Sequence, residues 1–249
     1  MNARVNVGGQ RGGAHIALLW FLTWCLSTAP CWGQDVARKP FSQDEKARLT
    51  AGKLVVRPTK ELRSGLRLIG GASWQIIKAP PDAVFRALLD TKYYNRSLPT
   101  VSAATLVSEQ PTLRRVKLEH KKGPVGIAYR LALSIDSQRR DITFKLNDRL
   151  DSGLRAAWGF MSAHPYGQNQ TLLSYGVMAD PGDGLLVGLV RGVIHDWILR
   201  VPAHVKRHVE STLGRRLYPK PAADAGVAVD AGAAADAGVA VDAGVAARR

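Results

Sequence analysis

The chain has 249 residues, a formal net charge of +15 and only two cysteines, Cys25 and Cys31. This length suits one domain with additional segments. Because both cysteines lie near the N-terminus, the composition excludes a disulfide framework and a thiolate metal site in the rest of the chain, so a hydrophobic core must hold the domain together.

Residues 1–33 have the pattern of a secretory signal peptide. Arg4 and Arg11 form a positive start, residues 14–29 are apolar but short for a membrane span, and Gly33 stands at the expected cleavage position. We therefore expect an exported protein, periplasmic or extracellular. A retained N-terminal anchor is the alternative.

The net charge of +15 lies in the middle of the chain, residues 34–220. Residues 1–33 hold two arginines and no acid, whereas residues 221–249 hold four aspartates and two arginines. Such a charge favours anionic partners, and for an exported protein an anionic membrane surface is favoured over nucleic acid. Two basic clusters could dock there, with ordinary solvated faces as the alternative: Arg114, Arg115, Lys117, Lys121 and Lys122, and Arg200, Lys206, Arg207, Arg215, Arg216 and Lys220.

Residues 34–65 are predicted to form one short helix and a linker. Ser42 and Glu45 have the spacing of a capping box, and Gly52 can end the helix. A first strand follows over residues 66–80, with a bulge or bend at the glycine pair 70–71.

The segment APPDAVFRALLDTKYYNRSLPTV, residues 79–101, is predicted to form a second short helix. Pro80 and Pro81 suit its first positions, where no backbone N–H is needed. Its apolar stripe consists of Val84, Phe85, Leu88 and Leu89.

About six strands with one apolar face follow over residues 102–180. Short turns separate them, which predicts an antiparallel sheet that curls. Residues 184–217 then form a long helix with a kink at Pro202. The order of elements predicts an α+β fold in which a curved sheet wraps a long C-terminal helix. Residues 220–249 repeat Asp-Ala-Gly motifs without bulky apolar residues and are predicted to be disordered.

The stretch IIKAPPDAVFRALLDTKYYNRSLPTV resembles the opening of the START-like (SRPBCC) superfamily, and WGFMSAHPYGQNQTLLSYGV resembles its penultimate hairpin. The most similar branch is the polyketide cyclase/dehydrase and coenzyme Q-binding group. The resemblance covers residues 66–213, and the domain is placed at residues 66–219. It implies a helix-grip fold with an apolar cavity. It does not settle the ligand, since the superfamily includes lipid carriers, cyclases and receptors.

No motif for a cofactor, a metal or a nucleophilic triad is found. His204 and His208 have metal-compatible spacing, but Lys206 and Arg207 repel a cation and no third ligand is placed nearby. A cyclase-type reaction would need a titratable group inside the cavity.

The cavity wall is the predicted ligand site. Its lining residues are predicted from the alternation along the strands, from the START-like layout and from the apolar stripe of the long helix. They are Tyr94, Tyr129, Leu131, Phe144, Tyr175, Val190 and Trp197, together with Trp158 or Met161, depending on a bulge at Gly159. The sequence thus predicts an exported START-like module that binds a lipid or isoprenoid and docks on anionic membranes. A cyclase/dehydrase-type enzyme using the same cavity is the alternative, and a cavity filled by its own side chains is a third possibility.

Overall fold

The computed structural model describes residues 39–122, 125–147, 154–182 and 197–220. The predicted signal peptide, the repeats beyond Lys220 and the first half of the predicted long helix, including Val190, lie outside these residues. Within the described ranges, no helix is both long enough and apolar enough to cross a membrane.

Eight antiparallel strands form a single sheet. Their spatial order is β1-β2-β8-β7-β6-β5-β4-β3, so β1 and β3 are the edges. The strands are β1 Val55–Arg63, β2 Leu66–Ile77, β3 Val101–Glu109, β4 Leu113–Lys122, β5 Val125–Asp136, β6 Asp141–Leu146, β7 Ala156–Pro165 and β8 Thr171–Asp180.

Five α-helices and one short 3-10 turn accompany the sheet in the described residues. They are α1 Gln43–Thr50, α2 Pro81–Leu89, the 3-10 turn Thr91–Tyr93, α3 Tyr94–Ser97, α4 Val201–Glu210 and α5 Thr212–Leu217. The predicted capping box is confirmed, because the Ser42 hydroxyl accepts from the Glu45 amide and the Glu45 carboxylate accepts from the Ser42 amide.

Strand β1 was not predicted, since it lies within the residues assigned to a linker. It pairs with β2 along its whole length, from Val55 opposite Trp74 to Arg63 opposite Leu66. Pro58 and the charged residues around it hide the alternation in the sequence. An edge strand tolerates this proline because one row of its N–H groups faces away from the sheet.

The glycine pair 70–71 does not form the predicted bulge, since β2 pairs with β1 and with β8 without a register shift. A Cβ atom on Gly70 would overlap the Val177 carbonyl of β8, and one on Gly71 would overlap the Arg57 carbonyl of β1. Both residues also have positive φ, which favours glycine. The pair therefore lets three strands approach closely.

The described part of the C-terminal element is interrupted twice. Trp197 and Ile198 are helical, residues 199–200 form a turn, and two helices follow. Helix α4 begins at Val201 with Pro202 in its first turn, where the missing N–H costs nothing. Ser211 then separates α4 from α5, and its hydroxyl accepts a hydrogen bond from the Gly214 amide at 3.0 Å. The predicted helix is therefore not continuous through residue 217, and one interruption lies directly before Pro202. The part of the predicted helix before Trp197 lies outside the described residues.

The two faces of the sheet carry separate cores. On the concave face, helices α2 and α4 pack against residues such as Ile77, Leu133 and Ile142. On the convex face, Leu49 of α1 packs against residues that include Trp74.

Arg57 ties helix α1 to the convex face. Its guanidinium lies 5.0 Å from the ring centre of Trp74 and 5.3 Å from that of Phe41. It also forms two hydrogen bonds to the Glu45 carboxylate, at 2.7 and 2.8 Å, and these hold the pKa of Glu45 at about 2. Arg57 therefore anchors α1 on the part of the convex face that β1 and β2 form.

Candidate functional site

A cavity of about 90 Å³ lies on the concave face, between the sheet, helices α2 and α3, and the start of the C-terminal element. Apolar side chains from the strands form most of its wall, and Val201 and Val205 of α4 contribute from the helix side. Seven of the predicted ligand-binding residues line it: Tyr94, Tyr129, Leu131, Phe144, Met161, Tyr175 and Trp197.

Trp158 does not line this cavity, which corrects its place among the predicted site residues. A Cβ atom on Gly159 would overlap the ring of Phe144, so Gly159 faces the cavity side. Side chains alternate along a strand, so Trp158 points to the opposite face while Met161 points inward. Val190, the remaining predicted residue, lies outside the described residues.

His120 lines the cavity but was not among the predicted ligand-binding residues. Its Nε2 lies 2.8 Å from the Tyr129 hydroxyl, and its Nδ1 lies 2.9 Å from the Thr100 hydroxyl. The ring of Trp197 lies 5.4 Å away. A signal was present, because His120 is in phase with the inward residues Val116 and Leu118 of the same strand.

Burial keeps these polar groups uncharged. It lowers the pKa of His120 to about 4, and the Pro99 carbonyl only partly offsets this effect. Burial also raises the pKa values of Tyr129 and Tyr175 above their usual range. Near pH 7 the described lining of the cavity therefore presents a neutral imidazole and protonated phenols, and it contains no charged side chain.

Two tyrosine hydroxyls on the cavity wall differ in availability. The hydroxyl of Tyr94 donates to the Leu88 carbonyl at 2.7 Å, so it serves the end of helix α2. The hydroxyl of Tyr175 has no hydrogen-bond partner among the described residues. The nearby Tyr129 adds to the effect of burial in raising the pKa of Tyr175. Tyr175 is thus a donor available to a bound molecule.

The two histidines with metal-compatible spacing have different surroundings. His204 lines a surface groove, whereas His208 stacks on Tyr93 and lies 3.3 Å from the Tyr218 hydroxyl. Across the described residues, no group of three or more metal-binding side chains occurs.

Comparison with known proteins identifies the family. The family model for polyketide cyclase / dehydrase and lipid transport matches residues 77–201, which is half of the chain. The chain belongs to this family. The predicted START-like resemblance is therefore confirmed, and the curved antiparallel sheet with its helices confirms the predicted α+β helix-grip class.

A solved structure shares the fold at low sequence identity, and a second is a weaker match. The Zhui aromatase/cyclase from Streptomyces sp. R1128 is 16% identical with a TM-score of 0.51, covering 64% of this chain and 99% of that one. A STAR-related lipid transfer protein fragment from Xanthomonas axonopodis is 15% identical with a TM-score of 0.48, covering 63% and 99%. A search of curated proteins finds no match. Family membership points to hydrophobic ligand binding or to cyclase-type function.

Proposed function

We propose that this protein carries a hydrophobic molecule, a lipid or an isoprenoid, in the concave-face cavity. The observation that carries the proposal is the apolar wall in which, among the described residues, the hydroxyl of Tyr175 is left without a partner. A mostly apolar pocket with few polar groups is typical of sites that bind and orient small apolar ligands.

The polar groups of the cavity restrict the chemistry of this ligand. The lining residues that the structure describes offer no charged group near pH 7, so an ionised head would be left unpaired among them at high cost. A neutral carbonyl or hydroxyl could accept from Tyr175, while the rest of the molecule contacts leucine, valine and phenylalanine side chains. We therefore propose a ligand with one neutral polar end.

Extraction of the purified protein with organic solvent, followed by mass analysis, tests the carrier function. We expect one apolar species that co-purifies with the wild type and is lost in Ala157→Phe, because Ala157 lines the cavity. Such overpacking costs about 1–3 kcal/mol of stability, so the milder Ala157→Leu is measured alongside. A wild-type protein without any bound apolar molecule would contradict the proposal.

Export and membrane docking belong to the same proposal. The signal-like residues 1–33 support export. In the described residues, part of the first basic cluster is paired with acids, since Arg114 contacts Glu109 and Lys117 contacts Glu119. In the second cluster Lys206 is paired with Glu210, whereas Arg200 and Arg207 are exposed. We propose that the part of this cluster around Arg200 and Arg207 faces an anionic membrane.

A cyclase-type enzyme is the second candidate, and one observation favours it. His120 is a titratable group inside the cavity, hydrogen-bonded to Tyr129. However, a base with a pKa of about 4 is poorly matched to neutral pH, and both ring nitrogens are already engaged. The carrier function therefore has the stronger support.

Turnover of the co-purified molecule separates the two candidates. An enzyme would convert its substrate in the wild type and lose that activity in His120→Asn while still binding the substrate. A carrier would return the extracted molecule unchanged in both proteins. Mass analysis of the bound molecule before and after prolonged incubation distinguishes these results.

A further inference from the structure

A second concave feature, a groove of about 540 Å³, lies on the other side of helix α4 from the cavity. Val201 and Val205 face the cavity, whereas Arg200, His204 and Arg207 face the groove. The spacing of these three basic residues, i, i+4 and i+7, places them in one row along the helix. The groove is therefore a separate site on a shared helix.

The lining of the groove that the structure describes is basic and contains no acid. Arg48 of helix α1 stands across from the row on α4. Burial lowers the pKa of His204, and the nearby charges of Arg207 and Arg200 lower it further. The positive charges thus converge on one space, which favours an anion there.

The rest of the groove is apolar. Leu54, Val56, Pro58, Leu199 and Ala203 complete its lining. Val56 and Pro58 belong to the exposed side of edge strand β1, and the same side continues to Lys60 and to Leu62, whose exposed fraction is 77%. A basic row therefore faces an apolar strip across the groove.

We propose that this groove binds the phosphate group of an anionic phospholipid at a membrane surface. Guanidinium groups suit phosphate oxygens, and the apolar side of β1 suits the lipid region next to the headgroup. A free phosphate ion would use the arginines and leave the apolar strip without a role. The inference rests on the proposed membrane docking and assigns it to one site.

Vesicle binding by two matched double variants of the full chain tests the site. Arg200→Gln/Arg207→Gln removes two groove charges, and Arg215→Gln/Arg216→Gln removes two exposed charges that do not line the groove. On phosphatidylcholine vesicles containing phosphatidylglycerol, we expect the first variant to bind about thirtyfold more weakly and the second at most about fivefold. Circular dichroism checks that both variants are folded.

The other outcomes separate the site from the docking itself. If both double variants lose the same affinity, the charge acts diffusely and the groove proposal fails, although docking stands. If the wild type does not bind anionic vesicles, docking fails, and the cavity proposal is still judged by extraction. If inorganic phosphate binds the wild type without vesicles and Val56→Ser leaves the vesicle affinity unchanged, the apolar strip has no role, the groove serves a free anion and the lipid assignment is overturned.

Discussion

The cavity and the groove are chemically opposite sites on two sides of the same helix. Val201 and Val205 close an apolar cavity, and Arg200, His204 and Arg207 form one wall of a basic groove. The helical period alone separates the two sets. One amphipathic helix can thus divide a site that excludes charge from a site that collects it.

The two sites also differ in how their polar groups are satisfied. In the cavity, both ring nitrogens of His120 form hydrogen bonds, and so do the hydroxyls of Tyr94 and Tyr129. Among the described residues, the hydroxyl of Tyr175 has no such partner. In the groove, the basic side chains face no acid among the lining residues that the structure describes. Selectivity should therefore depend on shape and one hydrogen bond in the cavity, and on charge in the groove.

The largest expected effect comes from breaking the sheet on which both sites depend. Gly70→Ala would place a Cβ atom on the Val177 carbonyl, so we expect a loss of at least about 4 kcal/mol in the free energy of unfolding, or no folding at all. Gly167→Ala is the control, because its Cβ would meet no atom within 4 Å, although its φ is also positive. It should cost about 1 kcal/mol in urea unfolding. Equal losses would show that close strand approach is not what requires Gly70.

The next largest effect is a pH dependence of the free energy of unfolding that comes from the cavity residue His120. His120 is held neutral in the fold with a pKa of about 4, whereas in the unfolded chain it takes up a proton below about pH 6.5. The free energy of unfolding should therefore fall as the pH falls from about 6.5 to about 4, by up to about 3 kcal/mol from this residue.

Two variants assign this pH dependence. His120→Asn should remove that part of the slope in urea unfolding measured across the range. Tyr129→Phe keeps the imidazole and should keep the slope, although it loses one hydrogen bond. A slope that is unchanged in His120→Asn would mean that His120 is not held neutral by burial.

A smaller effect is expected from Glu45→Gln, which should weaken binding at the groove without changing the cavity. Glu45→Gln removes the carboxylate that holds Arg57, which anchors helix α1 and with it Arg48. We expect a loss of about 2 kcal/mol in stability and weaker vesicle binding, with the co-purified ligand retained. Because the pKa of Glu45 is lowered to about 2, its contribution should be present above about pH 4.5 and disappear as the pH falls toward 2.

Asp44→Asn is the matched control for Glu45→Gln. Asp44 is exposed in the same first turn of α1, so its loss should cost only a few tenths of a kcal/mol. If Asp44→Asn and Glu45→Gln weaken vesicle binding equally, the anchor formed by Arg57 does not position the groove.

The smallest expected effect tests the one available hydroxyl. Tyr175→Phe should leave stability within about 0.5 kcal/mol and weaken ligand binding about fivefold, the value of one neutral hydrogen bond. Tyr94→Phe is the comparison, since its hydroxyl serves the Leu88 carbonyl and should affect stability more than binding. Competitive loading of the extracted ligand measures both.

The sequence predicted the concave face better than the edge of the sheet. Strand alternation placed Tyr129, Phe144 and Tyr175 on one face, because each buried strand keeps a strict period of two. Strand β1 was missed since Pro58 and its charged neighbours obscure the same pattern. Trp158 was placed on the wrong face because only the packing of Phe144 over Gly159 fixes the phase there.

The groove could not be predicted because its two walls are distant in sequence. Arg48 and Arg207 line the same groove only after α1 has packed on the convex face of the sheet and α4 on the concave face. His120 was in phase with its strand, but the sequence does not show that Thr100 and Tyr129 would reach its two nitrogens. Patterns within one strand or helix could be predicted from the sequence, whereas contacts between elements became known only from the folded structure.

The amount of apolar molecule extracted per mole of protein is the most direct test of the cavity as a ligand site. It should be compared in the wild type, in Ala157→Phe and in Arg200→Gln/Arg207→Gln. We expect a stoichiometric ligand in the wild type and in the groove variant, and less than about a tenth of that amount in Ala157→Phe, where overpacking removes the space. An empty wild type, or an equal amount in Ala157→Phe, would contradict the assignment of the cavity as the binding site.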